Sequence, residues 1–323
     1  MKRLFIAVLL IACAIPASAA GSRFNVNCDK GEKINKLLNT IAKAGAAMPI
    51  TVNVSGTCKE SVLIQNFDRL TLQTKTGAVI IGPPKSVNPS VTIAQSNYVT
   101  VQGFTIQGGQ DGLDCVENSI CDLNGLMVEN SANGGVAFGR SAGILTNNVF
   151  QNNPARGLNL VNGSKVLVVG GTVQGNGADG IGVVSGSNLT IENATIQNNA
   201  GDGIRVLLGS ALRMFDTVIS GNAGNGITLF SQANGSLEQI TTGSVVTANT
   251  GNGVAIRDVS FARFFDTNNI SGNLAQPDIA CIPQFAATRG SGTAGGTTDC
   301  VEPVGAKPER DSERREIPRA SPR

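Results

Sequence analysis

A repeat of about 23 residues runs through the middle of this 323-residue chain and restricts what the chain can fold into. Each repeat contains a glycine, an apolar residue directly after it, and a second apolar residue two positions further on. Because side chains alternate between the two faces of a strand, both apolar residues point inward from one short strand. The glycines are Gly112, Gly135, Gly157, Gly180, Gly203, Gly226 and Gly253.

An asparagine column accompanies the glycines, four residues before five of them. Asparagine tolerates left-handed turn conformations, and its amide can hydrogen-bond to an identical amide one repeat away. We therefore expect the stacked repeats to form an asparagine ladder. Its members are Asn153, Asn176, Asn199, Asn222 and Asn249, and the column continues at Asn273.

Further apolar pairs, for example Leu189 and Ile191 followed by Ile196, indicate about three short strands in each repeat. A unit of this size cannot bury its inner face alone, so successive units have to stack on one another. The predicted fold is therefore all-β, a parallel β-helix in which each repeat forms one coil.

Two segments, Asn198–Ile204 with its counterparts in other repeats and Ile50–Thr57, resemble right-handed parallel β-helix proteins of the pectin-lyase-like superfamily. The resemblance covers roughly residues 50–280 and implies a right-handed solenoid. It says little about chemistry, because that superfamily includes lyases, hydrolases, epimerases, adhesins and phage spikes. From the apolar strand pairs we expect about ten coils over residues 50–285.

The two ends of the chain differ from the repeats. Glu32–Ala47 places Ile34, Leu38 and Ile41 on one helical face and meets a stop signal at Gly45, which predicts a capping helix within residues 20–49. Residues 286–323 are small and polar and then carry charges of both signs with several prolines. We expect this last segment to be a disordered tail.

The first 19 residues have the pattern of a secretory signal peptide. A basic start precedes the apolar run Leu4–Pro16, and Ala17–Ala19 is a small-residue cleavage site, which predicts cleavage after Ala19. An alternative is a lipobox at Leu10–Cys13. Since no other stretch is apolar enough to cross a bilayer, we expect no membrane span and a secreted or periplasmic protein.

Six cysteines follow Cys13, an even number that suits disulfide bonds in an oxidising compartment. Six cysteines allow 15 connectivities, and the sequence alone does not choose among them. Their grouping along the chain suggests three local pairs: Cys28 with Cys58, Cys115 with Cys121, and Cys281 with Cys300.

Composition excludes several functions. The chain has no histidine, which excludes Ser-His-Asp and Cys-His nucleophile systems and His-ligated metal sites. It has no tryptophan and one tyrosine, so stacking on aromatic side chains is restricted. Without the signal peptide, 23 basic residues balance 23 acidic ones, which gives no electrostatic case for nucleic acid or anionic lipid.

Candidate site residues lie just before the glycines and between the two apolar positions. Asp179 and Asp202 occupy equivalent places in successive repeats, and Asn225 follows in the next. These three would hold Ca²⁺ through oxygen atoms, with Arg156 or Arg205 acting on a uronate, as in the Ca²⁺-dependent pectate lyases that the chain resembles. The alternative is that Asp-Gly and Asn-Gly only satisfy turn geometry. We expect Thr228, an outward position, to be exposed.

Two functions follow from these observations. The first is a secreted, non-catalytic β-helix that needs no cofactor and binds polysaccharide or cell-envelope glycans. The second is a Ca²⁺-dependent, pectate-type polysaccharide lyase or a related uronate-acting enzyme. Regular spacing, the missing histidine and the scarce aromatic residues favour the first. The Asp179–Asp202 pair and the superfamily resemblance favour the second, and the sequence assigns no oligomeric state.

Overall fold

The computed structural model describes residues 21–45, 48–238, 243–265, 268–282, 287–289 and 297–300. The predicted signal peptide lies outside the described residues, as does most of the predicted tail. Within the described part of the chain, no helix has both the length and the apolar character needed to span a membrane.

The chain forms 32 short strands and one α-helix over the described residues. The first elements are β1 (Ser22–Asn27), a 3-10 helix (Cys28–Lys30), α1 (Ile34–Ala44), β2 (Ile50–Ser55), β3 (Thr57–Lys59), β4 (Val62–Gln65), β5 (Leu70–Gln73), β6 (Val79–Ile81), β7 (Val91–Ala94), β8 (Val99–Gln102), β9 (Thr105–Gln107) and β10 (Leu113–Val116). The next are β11 (Ile120–Asn124), β12 (Met127–Glu129), β13 (Val136–Gly139), β14 (Ala142–Thr146), β15 (Val149–Gln151), β16 (Leu158–Val161), β17 (Lys165–Val169), β18 (Thr172–Gln174), β19 (Ile181–Val183), β20 (Asn188–Glu192), β21 (Thr195–Gln197) and β22 (Ile204–Leu207). The last are β23 (Ala211–Phe215), β24 (Val218–Ser220), β25 (Ile227–Phe230), β26 (Asn234–Glu238), β27 (Val245–Thr247), β28 (Val254–Arg257), β29 (Phe261–Phe264), β30 (Asn269–Ile270), β31 (Ile279–Ile282) and β32 (Ala287–Arg289).

Three parallel sheets run along the molecule, and each coil contributes one strand to each sheet. Sheet A has 12 strands, from β1 and β2 to β32, and sheets B and C have ten strands each, β3 to β30 and β4 to β31. The register stacks equivalent residues, so that Ile181 pairs with Ile204 and Ile204 with Ile227. The prediction of a right-handed parallel β-helix of about ten coils is confirmed.

The interior is a continuous apolar column made of the inward residues of the three sheets. Phe138 on sheet C is fully buried, as its inward position predicts. Its ring fits because Gly143 faces it from sheet A, where an added Cβ would come within 2.5 Å of the ring. A side chain at Gly143 would therefore displace Phe138.

The predicted capping helix is present and begins at Ile34 rather than Glu32. Lys33 makes no side-chain cap, and the backbone N–H groups of Ile34 and Asn35 instead donate to the carboxylate of Glu60 at 2.8 and 3.1 Å. The helix ends at Gly45, which has the left-handed conformation expected of it. Sequence patterning missed β1, which precedes the helix and pairs with β2.

The asparagine ladder forms as predicted. Each side-chain amide donates to the next one along the axis, for example Asn176 to Asn199 and Asn199 to Asn222, both at 2.9 Å. The hydroxyl of Ser131 starts the chain of hydrogen bonds, and a carboxylate oxygen of Asp278 accepts from the last amide. The ladder therefore ends on a charged acceptor, which strengthens the final bond.

Three disulfides join the cysteine pairs suggested by their grouping, Cys28–Cys58, Cys115–Cys121 and Cys281–Cys300. The last pair holds residues 297–300 beside β31, where Thr298 makes a parallel bridge to Ile279. Strand β32 lies beyond residue 285 and pairs with β29. The ordered coil thus continues past the boundary expected from sequence.

Candidate functional site

Polar side chains line one outer strip of the molecule, where the turn from sheet B enters sheet C. One position in each coil lies just before the repeat glycine, and another lies at the outward position of the sheet C strand. Because the strands are parallel and in register, equivalent residues lie about 4.8 Å apart along the axis. The sheet C strip consists of Asp111, Asp114, Arg156, Asn159, Asp179, Asp202, Arg205, Asn225 and Thr228.

Asp179 is buried at the centre of this strip and is held on both sides. One carboxylate oxygen accepts from Nε of Arg156 at 3.0 Å, and the other accepts from the backbone N–H of Asp202 at 3.1 Å. Arg156 also donates to Oδ1 of Asn159 at 3.2 Å. The guanidinium reaches this place by crossing Gly182, where an added Cβ would lie 2.7 Å from the Arg156 side chain.

Arg205 lies over the same carboxylates but is held more loosely. Its nitrogens are 4.0 Å from Oδ1 of Asp179 and 3.9 Å from Oδ2 of Asp202, and its side chain is 45% exposed. Burial raises the pKa of Asp202 above the ordinary aspartate value, although a hydrogen bond from the backbone of Asn225 opposes the rise. Arg205 therefore retains guanidinium donors on the solvent side of the strip.

The predicted Ca²⁺ ligands are brought together but are already hydrogen-bonded by the protein. Both oxygens of Asp179 accept protein donors, Oδ1 of Asp202 accepts the Asn225 N–H, and Oδ1 of Asn225 accepts the Asn252 N–H at 2.8 Å. Ca²⁺ requires six to eight oxygen ligands. These residues as arranged fit the ion poorly, because both carboxylates and the amide oxygen already accept protein donors, Asp202 from the Thr228 hydroxyl as well as from Asn225.

Thr228 differs from its sequence-based expectation. It is buried, and its hydroxyl accepts from the side-chain amide of Asn225 at 2.9 Å. The coil packs closely there because the Asn225 side chain folds back over the strand. Alternation along a strand predicts whether a side chain points inward or outward. The neighbouring turn decides how much of an outward side chain is exposed to solvent.

The N-terminal end of the strip has a second pair of carboxyl groups. Oδ1 of Asp111 accepts from the side chain of Asn133 at 2.9 Å and from the backbone of Gly134 at 2.7 Å. Oδ1 of Asp114 is buried and has no hydrogen-bond partner among the described residues. Burial, reinforced by the charge of Asp111, raises the pKa of Asp114 to about 7.

A cavity of about 310 Å³ lies next to these carboxyl groups and is lined by Asp111, Asn133, Ala137, Arg156 and Asn159 among others. Ala137 lies between Asp114 and Asn159 in the outward column, and its small side chain leaves space there. Asp114 occupies an outward position of its strand, between the inward residues Leu113 and Cys115. The burial of its Oδ1 comes from packing and leaves no signal in the repeat.

Comparison with known proteins agrees with this architecture. Residues 90–239 match the family model described as "Right handed beta helix region". No curated protein matches the chain in sequence at a significant level.

Several solved structures share the fold at low sequence identity. The A-module of mannuronan C-5 epimerase AlgE4 from Azotobacter vinelandii superposes with a TM-score of 0.65 at 14% identity, over 87% of this chain and 98% of that one. Tailspike protein 2 of Escherichia coli O157:H7 bacteriophage CAB120 superposes with a TM-score of 0.60 at 10% identity, over 84% of this chain and 42% of that one. An alginate lyase from Paenibacillus sp. str. FPU-7 superposes with a TM-score of 0.55 at 14% identity, over 85% of this chain and 97% of that one.

Similarity at this level of identity concerns the fold. Together with the three parallel sheets and the family match, it leads to one assignment. The chain has a right-handed parallel β-helix fold, and residues 90–239 match the family model of that fold.

Proposed function

We propose that this protein is a secreted, non-catalytic β-helix that binds polysaccharide along the sheet C strip. The observation that carries the proposal is the strip itself, in which successive coils present amide, carboxylate and guanidinium groups about 4.8 Å apart. A linear glycan offers hydroxyl groups at regular intervals and would meet new partners at each coil.

The hydrogen bonds that the residues at the centre of the strip make to one another favour binding over catalysis. Arg156 is hydrogen-bonded to Asp179 and Asn159, and Asp202 is held by the backbone of Asn225. Guanidinium groups stay protonated in proteins, so these arginines act as donors to a ligand and not as bases. Three disulfides suit the oxidising compartments in which secreted proteins fold.

The solved structures that share the fold add a second line of support. Their names include a mannuronan epimerase, an alginate lyase and a phage tailspike, and the first two act on polysaccharides by name. The same fold in this chain gives it a long, straight outer face suited to an extended ligand.

The test measures binding to a panel of neutral, uronate and sulfated polysaccharides by isothermal calorimetry. We expect at least one polymer to bind, and we expect Arg205→Ala and Asn159→Ala to weaken that binding. Arg23→Ala is the matched control, because Arg23 is exposed on β1 away from the strip. Equal affinities for all these variants would contradict a site on sheet C.

A second function, a lyase or related uronate-acting enzyme, is favoured by one observation. Asp114 has a buried oxygen without a partner and a pKa near neutrality, which are properties of a general acid or base. The test incubates the protein with polyuronates, with and without Ca²⁺, and follows unsaturated products by ultraviolet absorbance. Product formation that Asp114→Asn abolishes would favour this function over binding alone.

A further inference from the structure

A larger cavity lies on a different face of the molecule, on the outer surface of sheet A. It has a volume of about 680 Å³ and spans strands β8, β11, β14, β17 and β20. Ligand pockets in proteins occupy roughly 300–1,000 Å³ and are mostly apolar with a few polar groups. The sheet A pocket is lined chiefly by Tyr98, Ile120, Ala142, Ile144, Lys165 and Leu167.

The shape of this pocket follows from the register of three strands. Ile120 on β11, Ala142 on β14 and Lys165 on β17 are paired neighbours along the axis. A methyl group between two long side chains leaves a hollow, which Ile144 and the ring of Tyr98 border. Tyr98 is 62% exposed and Ile144 49%, so both present apolar surface to solvent.

Lys165 supplies a positive charge at the rim. It is exposed, and within the described parts of the chain its ammonium group makes no hydrogen bond or ion pair. Asp122, the acidic residue of the lining, is two strands away on β11, and burial raises its pKa. An anionic group on a ligand would find an unpaired cation there.

Two further cations lie on the outer face of sheet A beyond the pocket. Arg213 and Arg263 occupy outer positions on β23 and β29, and each guanidinium lies over a phenylalanine ring, at 4.7 Å for Arg213 and 5.5 Å for Arg263. Glu192 on β20 lies on the same face and offsets part of this charge. The feature that favours an anionic group on the ligand is therefore the ammonium of Lys165 at the rim of the pocket.

We propose that the sheet A pocket binds an anionic pyranose residue, carboxylated or sulfated, of a polysaccharide chain. The C–H face of the ring packs on Ile144 and its anionic group pairs with Lys165, while a neighbouring residue of the polysaccharide packs on Tyr98. The site is separate from the sheet C strip, and for the class of its ligand it rests on the proposed polysaccharide-binding function. A concave pocket suits this linear ligand better than the flat face of a second copy.

The only tyrosine of the chain lies in this pocket, and there is no tryptophan, so intrinsic fluorescence reports on the site directly. The probes are a galacturonate hexamer, a heparin-derived hexasaccharide and the neutral maltohexaose. We expect the carboxylated or the sulfated probe to change Tyr98 fluorescence in a saturable way, and the two probes distinguish the two kinds of anion. We expect maltohexaose to bind at least about tenfold more weakly.

Three variants test the contacts. Lys165→Gln should weaken binding of the anionic probe about tenfold, and Ala142→Phe, which fills the hollow from the solvent side, should abolish the fluorescence change. Lys43→Gln, an exposed lysine on α1, is the matched control and should bind like the parent. Retained thermal stability of Ala142→Phe shows that the variant is folded.

The outcomes separate this proposal from the proposed function. Suppose that an anionic probe binds by calorimetry without changing Tyr98 fluorescence, and that Arg205→Ala loses this binding while Lys165→Gln keeps it. That result would overturn the sheet A pocket and leave the proposed polysaccharide binding intact. Equal affinity for maltohexaose and the anionic probes would also overturn it. Failure of every polysaccharide to bind would overturn both.

Discussion

At the scale of single residues, two kinds of polar group affect the stability of the fold. The first lacks a hydrogen-bond partner, and the second shares hydrogen bonds between neighbouring coils. Asp114 belongs to the first kind and the ladder asparagines to the second. Their environments differ because a buried acid without a donor is destabilised in its charged form, whereas an amide with partners above and below is satisfied.

Asp114→Asn should stabilise the protein at pH 8 and have little effect at pH 4. Burial and the charge of Asp111 raise the pKa of Asp114 from 3.8 to about 7. Between pH 3.8 and about pH 7, the folded state therefore holds a proton that the unfolded state has released. Stability of the parent therefore falls as pH rises from about 4 to 7, by roughly 4 kcal/mol at most. The measurement is the melting temperature of both proteins from pH 4 to pH 8. A constant difference at all pH values would contradict the assignment.

Asn199→Ala should lower the free energy of unfolding by about 1–3 kcal/mol, because it leaves donors of Asn176 without their acceptor. The control is Asn188→Ala, because Asn188 is exposed and its replacement should cost less than about 0.5 kcal/mol. Equal changes in urea-unfolding midpoints for the two variants would show that the ladder contributes nothing.

At the scale of elements, helix α1 depends on a residue from outside it. The carboxylate of Glu60 accepts two N–H groups at the first turn and places negative charge at the positive end of the helix dipole. Glu60→Ala should therefore cost about 1 kcal/mol, and Glu60→Gln, which keeps one acceptor, should cost less. Thermal unfolding is the measurement, with Glu192→Ala on β20 as the control. A Glu60→Ala variant as stable as the parent would contradict this capping role.

The turns that enter sheet C form another element-scale unit, in which protein donors hydrogen-bond to the side-chain oxygens. Since the oxygens of Asp179 and Asn225 accept protein donors, we expect millimolar Ca²⁺ to leave the melting temperature unchanged. The double variant Asp179→Asn, Asp202→Asn distinguishes the alternatives. A rise in melting temperature with Ca²⁺ that the double variant abolishes would establish the calcium site, because a ligand of the folded state stabilises it by mass action.

At the scale of the whole molecule, the three disulfides differ in how far solvent reaches them. Cys115 and Cys121 are both buried in the core, while Cys281 and Cys300 are half-buried at the C-terminal end. Attack by a thiolate requires access to sulfur, so a mild reductant should open Cys281–Cys300 first and Cys115–Cys121 last. Alkylation of freed thiols followed by mass spectrometry gives the order. Early labelling of Cys115 would mean that the core opens readily.

The fold could be predicted almost completely from the sequence, because each coil repeats the same local rule. Inward residues such as Ile181 and Ile204 recur at one spacing, and only stacking buries them. The asparagine column followed for the same reason, whereas the helix near Ile34 followed from its own apolar face and the stop signal at Gly45. Strand β1 escaped prediction because it lies outside the 23-residue repeat, at the end of sheet A, where it pairs with β2.

The candidate sites depended on contacts that cross the repeat. The sequence placed Arg156, Asp179, Asp202, Arg205 and Asn225 on one strip, since constant spacing brings equivalent positions together. Only the tertiary structure decided which carboxylate oxygens already accept hydrogen bonds and that Oδ1 of Asp114 is buried without a donor among the described residues. It also decided that Ala142 leaves a hollow in the outer face of sheet A. Periodicity determines the face of a side chain, but burial and charge depend on the exact side chains of the coils above and below, and those do not repeat.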